Sequence, residues 1–326
     1  MSTDLPVSTA EDALIRQAIA ESHFPSLIAA LVHITGNTNL IDGDIKPSYE
    51  FFGDGQGGLS AAQRARVADH AFETIRSRRA RRALAAPVDL VRRLMNFVAG
   101  AEIPESYIPF LMAELALEGG GKLAQNADEN VFLAARNAFR VLIVGAGMSG
   151  VLAAIRLKMA GISYVIVDKN SEVGGTWFEN SYPGCRVDNP NHLYSYTFEP
   201  NYDWPQHYST QDKLYAYFRR VAEKYGVHQQ VRFETEMTGA VYDERRALWR
   251  ATLRNKGGIQ QSLEFDAIIS AVGQLNRPKF PDIAGIASFT GRSFHSAAWD
   301  HSVDLTGKRV AVIGTGASAF QFVPEI

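Results

Sequence analysis

Residues 139–170, FRVLIVGAGMSGVLAAIRLKMAGISYVIVDKN, constrain the fold more than any other part of the chain. A short apolar, β-rich run leads into three glycines spaced GxGxxG. An Ala- and Leu-rich helical pattern follows, then a second β-rich run that ends in Asp168. The hydrophobic period changes from strand to helix and back within this stretch, as a βαβ unit requires. In this setting Gly145 permits the tight turn, Gly147 lets a pyrophosphate approach the backbone and Gly150 allows close helix packing. The helix N-terminus supplies free amides and partial positive charge to the phosphates. Asp168 follows Gly150 by 18 residues, where a carboxylate can accept hydrogen bonds from ribose hydroxyls.

The residues after Asp168 narrow the dinucleotide. In VGGTWFENSYPGCRVDNPNHLY, Gly174 and Gly175 again permit close backbone approach, and Trp177, Tyr182 and Tyr194 offer flat surfaces for a ring system. A flavin fits these better than a lone nicotinamide. A second turn, Gly314, Gly316 and Ala319 in GxGxxA, follows RVAVI, which reads as a strand, and Ala is accepted at the third position. Two such units imply a tightly held flavin and a pyridine nucleotide that exchange electrons. Between them WRATLRN and SLEFDAIISAVG read as strands and STQDKLYAYFRRVAEKYG as a helix.

Cysteine usage removes one large class. Cys185 is the single cysteine, so neither a disulfide framework, nor a cysteine metal cluster, nor the dithiol pair of a flavoprotein disulfide reductase can form within the chain. Cys185 reads as a small packed residue and no metal site is expected. What remains is a flavoprotein passing nicotinamide electrons to dioxygen, a quinone or another protein.

Upstream, residues 1–136 read as all-helical. STAEDALIRQAIAES, SAAQRARVADHAFETIRSRRARRAL and PVDLVRRLMNFV carry helical spacing, with a loop at DGDIKPSYEFFGDGQGG. No catalytic constellation is visible there, so the region reads as an accessory or oligomerisation module through which a homodimer could form. With 33 Lys and Arg against 35 Asp and Glu, the net charge of -2 leaves no basic footprint for nucleic acid. No apolar run approaches the roughly 18 residues of a membrane span, and MSTDLPVSTAEDA lacks the basic and apolar regions of a signal peptide. A cytoplasmic location is expected.

The most specific segment is SFTGRSFHSAAWDHS, residues 288–302, between the two glycine turns. Its Phe289, Gly291, His295, Trp299 and Asp300 form FxGxxxHxxxW followed by Asp, which resembles the fingerprint of type I Baeyer-Villiger monooxygenases. The flavin-containing monooxygenases that oxidise nitrogen or sulfur look similar but typically have Tyr or Phe where this chain has Trp299. GGTW, YPGCRVD and AVGQLNRP also fit the Baeyer-Villiger group, the last with Val272 in place of the more usual Thr. HITG and KPS in the N-terminal region, with HSAAWDHSVDLTGKRVAVIGTGASA, resemble the 4-hydroxyacetophenone monooxygenase subgroup.

The resemblance implies a two-dinucleotide-domain α/β flavoprotein: a helical region at 1–136, a Rossmann-like FAD domain at 137–287, a linker with the fingerprint at 288–307 and the start of a Rossmann-like NADP domain at 308–326. It implies that NADPH reduces FAD, that the reduced flavin adds O2, and that the resulting peroxyflavin converts a ketone, here an aryl ketone, to an ester. Gly145, Gly147, Gly150, Asp168, Gly175, Thr176, Trp177 and Tyr194 would hold FAD, with Arg186 and Asp188 near flavin and nicotinamide. Gly314, Thr315, Gly316, Ala317, Ser318, Ala319 and Gln321 would cradle NADPH. Asp188 and His295 would serve the catalytic machinery, Asp188 by pairing with an active-site arginine and His295 by coupling the domains when NADPH binds. That arginine belongs downstream of Ile326 in the family, so the chain is expected to be a fragment that does not turn over by itself. A monooxygenase acting on nitrogen or sulfur, and a non-catalytic FAD-binding or assembly fragment, are the alternatives.

Overall fold

The computed structural model describes residues 9–49, 55–77, 87–115 and 138–326. Expectations for residues 1–8, 50–54, 78–86 and 116–137, including the end of the second helical pattern and the 136/137 boundary, lie outside the described residues. The chain divides into two compact units, Met1–Gln125 and Asn126–Ile326.

In the first unit the described helices are α1 (Thr9–Ala20), α2 (Phe24–Thr35), α3 (Asn39–Asp42), α4 (Ala61–Ser77), α5 (Val88–Ala99) and α6 (Ile108–Leu115). Helix α2 starts with Pro25 in its first turn and stops at Gly36, whose left-handed backbone (φ 71°) returns its N–H to the Val32 carbonyl. Apolar residues at helical spacing on α2 (Ile28, Leu31, Val32), α4 (Val67, Ala71) and α5 (Leu94, Phe97) meet in one core. The expected loop at 42–58 loses Asp42 to α3; its other described residues are non-helical.

The second unit carries β1 (Arg140–Val144), α7 (Met148–Met159), β2 (Ser163–Val167), α8 (Thr176–Glu179), α9 (Gln211–Lys224), β3 (Val231–Arg232), β4 (Thr235–Asp243), β5 (Leu248–Asn255), β6 (Gln260–Phe265), β7 (Ala267–Ser270) and α10 (Ala317–Phe322). A parallel sheet runs in the order β3-β2-β1-β7, and β4-β5-β6 form an antiparallel sheet. Val141, Ile143 and Ile166 join the larger core with residues of α7 and α9. Leu142 and Val167 point the other way, into a cluster with Ala251, Leu253 and Phe265 of the antiparallel sheet. Burial on both faces is why β1 and β2 read as unbroken apolar runs.

Two strand expectations change. SLEFDAIISAVG, expected as one strand, breaks at Asp266 so that β6 completes the antiparallel sheet and β7 joins the parallel one. The break is fixed by Arg140: its N–H donates to the Asp266 carboxylate at 2.7 Å, and its carbonyl accepts the Asp266 N–H at 2.9 Å. RVAVI, residues 309–313, forms no strand and pairs with no described one. Val310, Val312 and Ile313 are exposed. β-branched residues give a segment the propensity for a strand, but the ladder needs a neighbour to bond.

Candidate functional site

The first glycine turn is tightly determined. Gly145 has φ 103°, and a Cβ there would lie 2.6 Å from the Ala271 carbonyl oxygen on the loop after β7. Gly150, in the first turn of α7, is closer still: a Cβ would come within 1.8 Å of the Gly145 carbonyl oxygen. Gly147 caps α7 with extended backbone and no side-chain cap, which leaves the N–H groups of the first helical turn without intrahelical partners. Opposite it stands Gly175, whose Cβ would meet the Gly147 Cα at 2.9 Å. The two glycine segments therefore lie backbone to backbone, and the Gly174 N–H donates to the Ala146 carbonyl at 3.1 Å.

Asp168 stands at the end of β2, nearly fully buried. Its Oδ2 accepts the Ala146 N–H at 2.6 Å and its Oδ1 the Asn170 N–H at 2.8 Å. The carboxylate thus braces the glycine turn, and each oxygen keeps a second lone pair. Thr176 opens the short α8. Trp177, buried beside it, donates from Nε1 to the Tyr194 hydroxyl at 3.3 Å, the rings meeting edge to face at 5.7 Å. Tyr194 also meets Phe218 of α9.

From Cys185 to Asp188 the chain alternates, Cys185 and Val187 buried and Arg186 and Asp188 exposed. Burial pushes the Cys185 thiol up, which makes it a poor nucleophile. Asp188 accepts the Asn189 side-chain amide at 3.2 Å, and it forms no ion pair among the described residues.

The second glycine turn is open. Gly314 has φ 117°, yet a Cβ at Gly314 or Gly316 would meet nothing within 4 Å, and Thr315 and Ala317 are exposed. Ser318 and Ala319 turn inward, Ala319 against the larger core. Gln321 is engaged: its Oε1 accepts the Tyr182 hydroxyl at 2.9 Å and the Arg186 N–H at 3.2 Å, and its Nε2 donates to the Arg186 carbonyl at 2.9 Å.

The fingerprint segment is a chain of local locks. The Phe289 ring lies over Gly291, where a Cβ would come within 2.5 Å of it. His295 Nδ1 accepts the Ala297 N–H at 3.0 Å, capping a short 3₁₀ turn, so that bond assigns the ring proton to Nε2. Phe280 meets the His295 ring edge to face at 5.7 Å. Trp299 packs on Phe294 at 5.1 Å and on Phe322 of α10 at 5.2 Å. Asp300 accepts the Ser302 N–H at 3.0 Å and its hydroxyl at 2.5 Å, and the hydroxyl bond holds the carboxyl below the usual aspartate value.

Sequence reasoning missed the polar clamp that holds the loop bearing Asp188 and Tyr194. Asn191, fully buried, accepts the Ser209 N–H at 2.9 Å and donates to the Ser209 hydroxyl at 2.8 Å and to the Gln206 carbonyl. It missed the Tyr196 hydroxyl as well, which donates at 2.6 Å to the Met148 carbonyl in the first turn of α7. Only the run of buried-type aromatics around Tyr196 could have signalled the second; an Asn in a Pro-rich loop signals a turn and nothing more.

Residues 138–326 match the family model of the flavin-binding monooxygenase-like proteins. The chain belongs to that family. An uncharacterised monooxygenase, y4iD of Sinorhizobium fredii, is 38% identical over 322 residues, covering 96% of this chain and 46% of that protein. A Baeyer-Villiger monooxygenase of Streptomyces coelicolor is 45% identical over 188 residues, 57% of this chain and 35% of that protein. Among solved structures, OTEMO in complex with FAD and NADP superimposes with a TM-score of 0.53 at 37% identity, over 57% of this chain and 36% of that one. The chain therefore spans less than half the length of these relatives. The fold they share is that of flavoproteins with Rossmann-type domains, here with a parallel sheet and a helical N-terminal region. Among the described residues no helix is long and apolar enough to cross a membrane, and no cluster of His, Cys, Asp or Glu could hold a metal.

Proposed function

We propose that the protein is a Baeyer-Villiger monooxygenase that uses FAD, NADPH and O2 to convert a ketone, specifically an aryl ketone, to an ester. The reaction balances as ketone, O2, NADPH and a proton giving ester, NADP+ and water. The observation that carries this reading is the fingerprint segment: Trp299 bridges from its own turn to Phe322, directly after the second glycine turn. The naming of two relatives, from Streptomyces coelicolor and Pseudomonas aeruginosa, as Baeyer-Villiger monooxygenases supports it.

The residues fit a dinucleotide at the first turn, because the uncapped N-terminus of α7 and the two facing glycines leave a backbone cradle that side chains would fill. Gly145, Gly147, Gly150, Gly175 and Thr176 would hold the FAD phosphates, and the free lone pairs of Asp168 would take the ribose. Trp177 and Tyr194 would flank the ring system. The open turn at Gly314–Ala319 fits the NADPH pyrophosphate, since nothing occupies the space above Gly314 and Gly316. The chemistry that a flavin supplies when bound is acceptance of two electrons from reduced nicotinamide and activation of dioxygen.

The chain's own residues bind, orient and exclude. The Asp168 bond to the Ala146 N–H sets the phosphate-binding turn, the Asn191 clamp holds the loop that presents Asp188, and His295 stiffens the segment between the turns. Asp188, exposed like Arg186, would orient a cationic partner at the reacting face. The helical N-terminal unit would serve assembly, with a homodimer as the simplest form, and the protein would work in the cytoplasm.

The test is product analysis with the FAD-loaded protein, NADPH and 18O2, offering an aryl ketone, a cycloalkanone and a thioether. One labelled oxygen in an aryl ester supports the reading in full. Ester from the cycloalkanone alone overturns the aryl assignment, and sulfoxide without ester overturns the Baeyer-Villiger assignment.

A further inference from the structure

Most of the hydrogen-bonding capacity of the Gln321 side chain is taken up within the protein. Both lone pairs of its Oε1 are taken, by the Tyr182 hydroxyl and the Arg186 N–H, and one of its two Nε2 hydrogens goes to the Arg186 carbonyl. Bonding both backbone groups of one residue is what a neighbouring strand residue does; here a side chain on α10 does it to the segment that carries Arg186 and Asp188. Three further features make the contact close. Gly184 has φ 72°, and a Cβ there would lie 2.5 Å from the Gln321 carbonyl oxygen. Phe322, the next residue, is buried against Tyr182 at 6.1 Å and Trp299 at 5.2 Å. On its far side, Arg186 bridges to Thr210 at the start of α9, so the segment is gripped from both edges.

We infer that Gln321 is a positioning residue rather than a nucleotide ligand: it ties the helix of the second glycine turn to the backbone of Arg186, so that occupancy of that turn is felt at Arg186 and Asp188. Tyr182 is the second member of the latch. A nucleotide bound at residues 314–319 fixes α10, and α10 fixes the peptide groups on either side of Arg186. The inference rests on the proposed binding of NADP+ at the second turn.

The experiment is backbone hydrogen exchange of residues 184–188 in the full protein with FAD bound, with and without NADP+, alongside NADP+ titration by flavin absorbance. In the parent protein NADP+ is expected to slow exchange at Arg186 by about tenfold, since closing a local opening by one or two hydrogen bonds is worth that factor. In Gln321→Leu the NADP+ dissociation constant changes by less than about threefold, while the exchange response falls below about twofold. Gln321→Glu keeps the acceptor and loses the donor, and Tyr182→Phe removes one bond of three. Both are expected to give intermediate responses with full FAD content, and they decide the matter if the Leu variant does not fold. An undiminished exchange response in Gln321→Glu and Tyr182→Phe overturns the latch. So does a loss of NADP+ affinity of more than about thirtyfold in Gln321→Leu with the exchange response of the bound fraction intact, since that marks a direct ligand. Absence of any NADP+ binding by the parent overturns instead the cofactor reading on which the latch stands.

Discussion

At the first glycine turn a methyl group on Gly150 would lie 1.8 Å from the Gly145 carbonyl oxygen; at the second, a methyl group on Gly316 would meet nothing within 4 Å. The spacing of the two motifs is nearly the same, and their surroundings are opposite. The first sits between paired strands, with Asp168 and Ala271 closing it from two sides. The second follows a segment that pairs with no described strand, and among the described residues it is attached through the helix behind it, by Gln321 and Phe322. A glycine motif thus reports a backbone shape, while the rigidity that makes the shape a binding site comes from neighbours remote in sequence.

A glycine-to-alanine change at each turn probes this contrast, at the third motif position in the first turn and at the second motif position in the second, where the third is already Ala319. Gly150→Ala forces backbone apart where no flexible side chain can yield, so a destabilisation above about 3 kcal/mol and loss of FAD from the purified protein are expected. Gly316→Ala has room and an allowed backbone (φ -74°), so FAD content stays unchanged and Tm moves by no more than about 2 °C. Flavin absorbance per protein and thermal unfolding read both. Equal losses at the two turns would show that the second is as tightly enclosed as the first.

The next test concerns the carboxylate that closes the first turn. Asp168→Asn weakens a charge-assisted bond to the buried Ala146 N–H and is expected to cost about 2 to 3 kcal/mol. Denaturant unfolding measures the stability, and equilibrium dialysis measures the accompanying fall in FAD affinity. An unchanged stability would mean that strand pairing alone shapes the turn. Attachment of the second turn is probed by Trp299→Ala, which removes a half-buried ring from Phe294 and Phe322. About 2 kcal/mol is expected, below the 3 to 5 of a fully buried Trp, with FAD retained because its ring partners, Phe294 and Phe322, lie outside the first turn.

The same contrast explains what the sequence made legible. The βαβ unit of residues 139–170 was readable because strand, turn, helix and strand are adjacent in the chain, and each carries its own period. The antiparallel sheet was readable only in part. Strand β4, TEMTGAVYD, is mostly polar and exposed and carries a bulge between Met237 and Gly239, so it shows no clean alternation. The division at Asp266 was invisible because it depends on Arg140, 126 residues away in sequence. RVAVI failed in the reverse sense, with strand propensity and no partner. For the candidate site, the glycines of the first turn and Asp168 were readable from spacing, and Trp177 and Tyr194 only as aromatics in the stretch that follows; the structure sets Gly147 against Gly175, Asp168 against the turn and Trp177 against Tyr194. The use of Gln321 was not foreseeable, since its partners, Tyr182 and Arg186, lie in another segment and two of the three bonds are to backbone.

The smallest expected effect concerns pH and the attachment of the second turn. Burial pushes the Tyr182 phenol up to about 12, with Cys185 and Asp188 nearby adding to the rise. A folded-state pKa above the unfolded value of about 10 means that the neutral phenol is favoured by the fold. Its contribution is therefore present in full below pH 10 and is lost as pH rises through about 12. The O–H that donates to Gln321 is thus in place throughout the neutral range, and the latch is expected to be unchanged between about pH 6 and 9. Subtracting the alkaline absorbance titration of Tyr182→Phe from that of the parent isolates this one phenol. A midpoint near 12 keeps α10 bound to the Arg186 segment at every working pH; a midpoint near 10 would mean that Tyr182 is hydrated, and that the second turn is held by Gln321 and Phe322 alone.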